Sequence, residues 1–419
     1  MTAGTTTSDT GGDSTRHPDQ VMGRRELLFF VSLAMATMAL GIDMMLPAFD
    51  EMRAAFDLDP DSTAIGQTVT VYFVGVAFSQ LLWGPAADWY GRKPILLAGL
   101  AVTAIGAALS ALAPSLTTLL IARFLWGLGA GGPRVIVTAI IRDTYVGDAM
   151  ATAMSRVMAI FILVPIFAPA IGAGILVFLP WQGIFWTCMA FTGIVAIWSR
   201  RLHETLDPAA RRPLEFSSFR TGVRRVMTTR LTALTMLASV FLQAVMTTYL
   251  TTSELIISEV YDRGDQFPFV FGAVAVVMGA ASLLNGSIVS RVGMRIAIRR
   301  QAVVMTLGAI VLVVLASGQR PGFVLFHVVL AVTFGTFMML MPSLGAAGMI
   351  QMGDMAGTAS SVTAAMRLLV GSVMAGVATG LAGGTVFGFA ACIGVFVLGA
   401  ALTVLVMDRT VPPADWRAD

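Results

Sequence analysis

The amino-acid sequence predicts an all-α membrane protein in which twelve transmembrane helices form two pseudo-symmetric halves of six. Three observations predict this fold: an apolar composition, a series of hydrophobic segments of membrane-spanning length, and an internal repeat. Of the 419 residues, 57% are hydrophobic and only 12% are charged, whereas a soluble domain carries about 25% charged residues. So apolar a chain needs the lipid bilayer as its solvent.

Twelve apolar stretches have the length that a membrane span requires, which is about 20 residues of α-helix. Charged residues or breaks rich in Pro and Gly separate them. The stretches cover residues 26–48, 62–86, 93–113, 117–140, 150–178, 181–199, 229–257, 266–290, 296–317, 322–349, 356–381 and 386–407. The predicted organisation is a disordered tail at 1–24, halves at 25–199 and 229–407, a linker at 200–228 and a second tail at 408–419.

Basic residues predict the orientation of the spans. They concentrate in one set of loops, namely Arg92 and Lys93, Arg142, the stretch Arg200–Arg230, and Arg291, Arg295, Arg299 and Arg300. The opposite loops hold only Arg53, Arg263 and Arg320. Because cytoplasmic loops are enriched in Lys and Arg, both termini and the linker are predicted to be cytoplasmic. The net charge of +3 gives no indication of nucleic-acid binding.

An internal repeat supports the division into two halves. The segment Gly84–Arg92 recurs as Gly286–Arg295, and each copy lies between the second and third spans of its half. Two six-span halves with such a repeat are typical of secondary transporters, whose substrate site lies between the halves near the middle of the membrane.

The segment Gly84–Pro94, GPAADWYGRKP, resembles the signature loop between spans 2 and 3 of the major facilitator superfamily. Glycines permit close helix approach and a tight turn, and a carboxylate can pair with a helix N-terminus or a nearby arginine. The resemblance implies a conformational latch on the cytoplasmic side, with Asp88 near the start of span 11. The latch residues are Gly84, Asp88, Gly91, Arg92 and Asp143. Ser290 replaces the acid in the second copy, and an ordinary arginine-rich loop is the alternative interpretation.

Span 1 resembles a narrower branch, the drug:proton antiporters related to bicyclomycin and chloramphenicol resistance, and span 4 resembles a motif of the superfamily. The block Gly41–Pro47 carries Asp43, which the resemblance implies is membrane-embedded and protonatable. Arg123 matches the buried arginine of the family's span-4 motif, with Trp126 in the place of a glutamine, and is expected to modulate the charge of Asp43. The alternatives are an interfacial acid at Asp43 and an arginine at Arg123 that extends toward the membrane surface.

Span 5 resembles the proline-glycine motif of drug antiporters through Pro165, Pro169 and Gly172. Two prolines four residues apart fall on one face and bend the helix, and small residues allow a close neighbour. The motif favours export, although ordinary transmembrane packing is an alternative explanation because Pro and Gly are common in spans.

A cavity between the halves is predicted to bind the substrate. Its candidate residues are Met38, Tyr72, Trp126, Arg134, Phe161, Gln243, Met246, Tyr249, Met338 and Arg367. Methionines suit a promiscuous apolar site. Arg134 is expected either to line the cavity or to point to the cytoplasm. Arg367 is expected either to bond a neighbouring span or to bind an anionic or carbonyl-rich substrate. Glu254 is expected to be wet, at the outer end of span 7.

These observations predict a proton-coupled transporter that exports small amphipathic or antibiotic-like molecules across the bacterial inner membrane, as a monomer. The proton gradient is its expected energy source, with no cofactor, because the sequence has no Gly-x-x-x-x-Gly-Lys nucleotide loop and no metal-ligand spacing. It shows no catalytic motif, so no enzyme activity is expected. Two alternatives stay open: a transporter of an endogenous sugar, nucleoside or amino acid, and a non-transporting membrane receptor or enzyme.

Overall fold

The computed structural model describes residues 22–211, 216–318 and 320–416. The predicted tail at 1–24 therefore lies mostly outside the described residues, as do parts of the linker and of the second tail. The helices are α1 (Arg24–Asp43), α2 (Phe49–Ala55), α3 (Gln67–Tyr90), α4 (Arg92–Ala111), α5 (Leu116–Thr144), α6 (Gly147–Leu176), α7 (Gln182–Trp198), α8 (Phe216–Thr228), α9 (Arg230–Leu255), α10 (Phe267–Val292), α11 (Met294–Ala316), α12 (Phe323–Met349), α13 (Ala356–Ala382) and α14 (Val386–Thr410).

Within the described residues, twelve helices are long and apolar enough to cross a membrane, which confirms the predicted fold. The first span combines α1 and α2 through a short turn; α3 to α7 and α9 to α14 form the others. Large apolar side chains such as Ile121, Phe178 and Leu283 are exposed around the bundle, where lipid would cover them. Because twelve crossings return the chain to its starting side, both termini lie on one side, here called the terminal side; the other is the far side.

Glycines set the spacing of the helices inside the first half. A Cβ atom at Gly75 of α3 would lie 2.3 Å from the carbonyl oxygen of Phe124, and one at Gly127 of α5 would lie 2.1 Å from that of Tyr72. Neither distance is possible for a real side chain, so α3 and α5 touch backbone to backbone. Such contacts are common between transmembrane helices, where close packing replaces the hydrophobic driving force.

The internal repeat of the sequence is also a repeat in the structure. Gly91 before α4 and Gly293 before α11 have φ angles of 107° and 82°, which favour glycine. After each turn a basic side chain reaches the last helix of its half: Lys93 Nζ donates to the carbonyl of Arg200 at 2.9 Å, and Arg295 Nη2 donates to that of Asp408 at 2.5 Å.

The two halves meet through helix pairs that the repeat relates to each other, α3 with α13 and α6 with α10. Two close contacts between the halves lie on the far side. Gln67 Nε2, at the start of α3, donates to the carbonyl of Gly376 near the end of α13 at 3.0 Å. A Cβ at Gly66 would lie 2.6 Å from the carbonyl oxygen of Thr251 in α9. The halves are therefore in close contact on the far side.

The linker helix α8 packs against the second half. Val226 is fully buried, and Val223 joins it in an apolar cluster with residues of α9 and α13. Gly222 lies so close to α13 that a Cβ there would be 2.5 Å from the Thr358 methyl group. Arg224 on the opposite face is exposed. The amphipathic pattern of α8 thus attaches it to the second half on the terminal side.

Candidate transport site

Asp43 is the last residue of α1 and is buried, with 5% of its surface exposed. Its carboxyl group has no hydrogen bond or ion pair in the part of the chain that the structure describes. The next residue, Met44, is in backbone contact with α6, because a Cβ at Gly172 would lie 2.1 Å from the Met44 carbonyl oxygen. The glycine of the proline-glycine motif therefore allows α6 to cover the chain beside Asp43.

Arg123 of α5 is fully buried and reaches span 1 next to this acid. Its Nη1 donates to the Gly41 carbonyl at 2.8 Å, and its Nε donates to the Thr68 carbonyl at 3.4 Å. No ion pair joins it to Asp43 among the described residues. The sequence paired these two charges, whereas the structure satisfies the guanidinium with backbone carbonyls of two spans.

Two aromatic rings of the first half also hold Arg123. Its guanidinium carbon lies 4.5 Å from the centre of the Tyr72 ring and 4.7 Å from that of Trp126, distances at which a cation is attracted to a ring face. The Tyr72 hydroxyl donates to the Met38 carbonyl at 2.8 Å. Tyr72, Trp126 and Met38 are all buried, so in this conformation they pack the first half together.

Tyr249 of α9 brings the second half to the same region. Its ring stacks on Phe271 with centroids 5.2 Å apart and also contacts Phe334. Its hydroxyl is buried without a hydrogen-bond partner among the described residues. The short turn that follows Asp43, Leu46–Ala48, contacts α9. Helices of both halves therefore border the chain beside the embedded acid.

Arg134 and Arg367 form a second charged layer, closer to the terminal side. Arg134 lies ten residues before the end of α5, and Arg367 lies eleven residues after the start of α13. At 1.5 Å per residue both are about 15 Å from the terminal ends of their helices. Both are partly accessible.

Neutral groups contact the two arginines of this layer. Arg367 Nη1 donates to Gln243 Oε1 at 2.9 Å, and Gln243 in turn donates to Thr247. Among the described residues, the Arg134 guanidinium contacts only the sulfur of Met38, at 3.9 Å, and a thioether is a weak acceptor. Arg367 thus bonds a neighbouring span, as one expectation had it. Its guanidinium also has N–H donors that no described residue accepts from, so the other expectation, substrate binding, stays open.

The other predicted cavity residues are distributed over both halves. Met246 and Met338 are partly buried beside the core that contains Tyr72 and Tyr249, and Phe161 packs against the terminal-side core of the first half. Pro165 and Pro169 lie inside the uninterrupted helix α6. The structure does not bring Phe161 into contact with the embedded acid.

The predicted latch residues meet at the terminal side of the first half. Arg92 bonds Asp88, and its Nε donates to Asp143 at 3.0 Å. Its side chain is 4% exposed, against 44% for Asp88 and 15% for Asp143. A Cβ at Gly84 would be only 3.7 Å from Val135, so this glycine lies directly over α5.

The contact expected between Asp88 and the start of span 11 is absent. The first residue preceding α13 is Met355, and no side chain caps that helix. Asp88 is bonded only to Arg92 among the described residues. In this conformation, therefore, the cluster around Arg92 stays within the first half.

Glu204 completes the Arg92 cluster, although no sequence pattern indicates this role. Its carboxylate accepts from the backbone N–H groups of Arg92 at 2.8 Å and Lys93 at 3.2 Å. It therefore caps the N-terminus of α4, where a negative charge is favourable. Only its place in a loop that returns to this helix end could have suggested the role.

On the far side, Arg53 and Glu254 form an ion pair between the halves. Arg53 Nη2 donates to the two Glu254 oxygens at 3.2 and 2.9 Å, and it also bonds Asp50 in its own half. Both side chains of the pair are 2% exposed. The expectation that Glu254 is exposed to water was wrong, because the opposite half covers it.

Comparison with known proteins finds one matching family model and several similar bacterial transporters. The sequence matches the family model of the Major Facilitator Superfamily over residues 31–376. It is 29% identical to a bicyclomycin resistance protein homolog of Haemophilus influenzae over 352 residues, which is 83% of this chain and 87% of that protein. It is 34% identical to the multidrug resistance protein MdtL of Salmonella heidelberg over 231 residues, covering 54% of this chain and 57% of that protein.

Among solved structures, the fold resembles that of the xylose transporter XylE from E. coli in a partially occluded inward-open conformation. The TM-score is 0.72 at 13% identity, and the match covers 92% of this chain and 97% of XylE. At this identity the likeness concerns the fold alone.

Proposed function

This chain belongs to the Major Facilitator Superfamily, and from that premise we propose that it exports small amphipathic, antibiotic-like molecules in exchange for protons. It is a multi-pass transporter of the inner membrane, not an enzyme. The two relatives named for drug resistance support drugs as its substrates. No cofactor is needed for the exchange, since the proton gradient supplies the energy, and the chain acts as a monomer.

Asp43 is the observation that carries the proposal. A carboxyl group that is buried without a cation keeps its proton until water or a cation reaches it. Asp43 meets this condition, and the turn that follows it contacts α9 of the other half, so it lies near the surface where the halves move against each other. Movement of the halves would change its contact with water and so exchange its proton.

In the proposed cycle the terminal side is cytoplasmic, as the arginine-rich loops predict. With the halves closed on the far side, substrate enters from the cytoplasm and Asp43 releases its proton there. The halves then close on the terminal side and open on the far side, where substrate leaves and Asp43 takes up a new proton. Arg123, fixed to Gly41 beside this acid, holds span 1 in place and contributes positive charge that favours proton release.

The proposal is tested with the full chain reconstituted in proteoliposomes that contain a pH-sensitive dye. Chloramphenicol is added to the side that holds the substrate entrance, under an imposed proton gradient. We expect substrate-dependent proton movement with the wild type and none with Asp43→Asn, which keeps the size of the side chain but cannot titrate. Asp59→Asn, in an exposed loop, is the matched control and should behave as wild type.

A resistance panel in an efflux-deficient host extends the test to other drugs. Expression should raise resistance to several amphipathic antibiotics, and Asp43→Asn should remove that gain. If no drug evokes proton movement or resistance, the chain is a transporter of a different substrate class. Undiminished proton movement in Asp43→Asn would show that another group carries the proton.

A further inference from the structure

We propose that Arg134 and Arg367 together form an anion-binding clamp, and that the preferred substrates are organic molecules with a carboxylate or a similar single negative charge. This inference rests on the proposed function, because it names the substrate class of the same cavity. The clamp combines one guanidinium from each half, at the same depth in the membrane.

The charge balance of this layer is the first argument. An arginine inside a membrane protein is normally paired with an acid or with backbone carbonyls. Arg123 follows this rule through its two carbonyl contacts. Arg134 and Arg367 do not: within the described ranges, neither guanidinium has a carboxylate or carbonyl partner.

The free donors of the two side chains are the second argument. A guanidinium has five N–H donors. Arg367 uses one on Gln243, and among the described residues the Arg134 guanidinium contacts only the Met38 thioether. Both side chains remain partly accessible although each lies about 15 Å from the end of its helix. Each guanidinium therefore keeps donors for a ligand, and a carboxylate accepts hydrogen bonds from two guanidinium groups at once.

The fixed position of Arg367 is the third argument. Gln243 accepts from Arg367 and donates to Thr247 at 3.3 Å, and Thr247 bonds Ser372 at 3.2 Å. This chain of neutral groups joins α9 to α13 and orients the guanidinium without neutralising it. A site that holds a cation in place but leaves its charge uncompensated is prepared for an anionic ligand.

The clamp also explains how substrate would control the movement of the halves. If closing the terminal side brings α5 and α13 together, it also increases the repulsion between Arg134 and Arg367. An anion bound between them replaces this repulsion by two attractions. The loaded cavity therefore closes more readily than the empty one, which prevents futile movement without substrate.

Calorimetric binding of two matched ligands to the detergent-purified full chain at pH 7 tests the clamp. Chloramphenicol and its hemisuccinate ester share one scaffold and differ by a carboxylate. We expect the hemisuccinate to bind at least about tenfold more tightly, since a hydrogen bond with a charged partner is worth that much. Arg134→Gln and Arg367→Gln should each remove this preference and leave chloramphenicol affinity within about twofold. Arg291→Gln, which removes an exposed arginine, should leave both affinities unchanged.

Folding and the source of the anion are controlled in the same experiment. The Tm of ligand-free Arg134→Gln should equal or exceed that of the wild type, because the substitution removes an uncompensated charge. The Tm of Arg367→Gln should fall only slightly, because that variant also loses the hydrogen bond to Gln243. A large fall in either Tm would mean that the arginines hold the helices together. Titrations at one ionic strength in chloride, in phosphate and with phosphatidylglycerol in the micelles should preserve hemisuccinate binding. Its loss in any of them would assign the arginines to an inorganic ion or a lipid headgroup and overturn the proposal.

Binding separates this inference from the proposed function, since it requires no proton gradient. Preferential hemisuccinate binding without proton-coupled transport would retain the clamp and reject antiport. Proton-coupled chloramphenicol export with equal affinity for the two ligands would retain antiport and reject the clamp.

Discussion

Arg53 and Glu254 lie 201 residues apart in the chain, yet the guanidinium of the first half bonds both carboxylate oxygens of the second. Asp50 bonds the same guanidinium from within the first half. The pair is buried and lies where the spans end on the far side. It is thus a polar connection between the halves that must break when the far side opens.

Replacing Glu254 by Gln should open the far side. Removing one partner of a buried ion pair costs about 3–5 kcal/mol. Here the loss destabilises the conformation in which the far side is closed, because the pair is formed there. The distance between the halves is measured with spin labels at Asp61→Cys and Asp265→Cys, in a chain with both native cysteines replaced. The population with the longer distance between the labels should grow at least about tenfold. Asp50→Asn is the matched control, because it removes a carboxylate from Arg53 within one half. An equal opening in both variants would contradict a role for the inter-half bond.

Asp143 should matter more than Asp88 for the stability of the first half. Arg92 is almost fully buried, and Asp143 is its more buried partner. We expect Asp143→Asn to lower the free energy of unfolding by about 2–3 kcal/mol and Asp88→Asn by less than about 1 kcal/mol. Unfolding in detergent by denaturant measures both. A larger effect at Asp88 would indicate that its main partner lies on another helix.

Gly91→Ala should be more damaging than Gly293→Ala, although both residues have positive φ angles. The left-handed backbone costs a non-glycine residue about 1–2 kcal/mol at either position. At Gly91 the new Cβ would also lie 2.4 Å from a Glu204 oxygen, whereas Gly293 has nothing within 4 Å. In a Glu204→Ala background, Gly91→Ala should therefore cost only as much as Gly293→Ala. The Tm values of the four variants give the comparison, and identical shifts in the wild-type background would show that Glu204 moves aside freely.

Gly127→Ala should separate α3 from α5. The methyl group would collide with the Tyr72 backbone, and the displacement would also move the aromatic ring above Arg123. Overpacking of this kind costs about 1–3 kcal/mol or more. Gly345→Ala, at an exposed helical position with open space around it, should leave the Tm unchanged or slightly higher, since alanine favours helix. Equal Tm values for the two variants would mean that the helices adjust without loss.

The sequence predicted the features that depend on local patterns. Span positions follow from the length of apolar runs, and the Arg92 cluster follows from a motif whose members lie at neighbouring helix ends. Both are consequences of residues close in the chain or on adjacent spans. Gly172 also acts locally, since a small residue in a proline-bent helix predicts a close neighbour.

Contacts between distant segments could not be predicted in the same way. Glu254 looked like a surface acid because no nearby residue indicates that Arg53 of the other half covers it. Arg123 was assigned to Asp43 because opposite charges in adjacent spans are expected to pair, but the backbone carbonyls of Gly41 and Thr68 bind it instead. Glu204 lies in the linker, where the sequence has no periodic pattern to show which helix end it meets.

The attachment of α8 has a consequence for how the chain can be divided. Val226 and Gly222 tie this helix to α9 and α13, so the amphipathic segment belongs structurally to the second half. Two polypeptides produced by a cut ahead of α8 would each keep their own apolar packing and could reassemble in the membrane. A cut after α8 would leave its apolar face without a partner in the first fragment and would uncover the ends of α9 and α13 in the second.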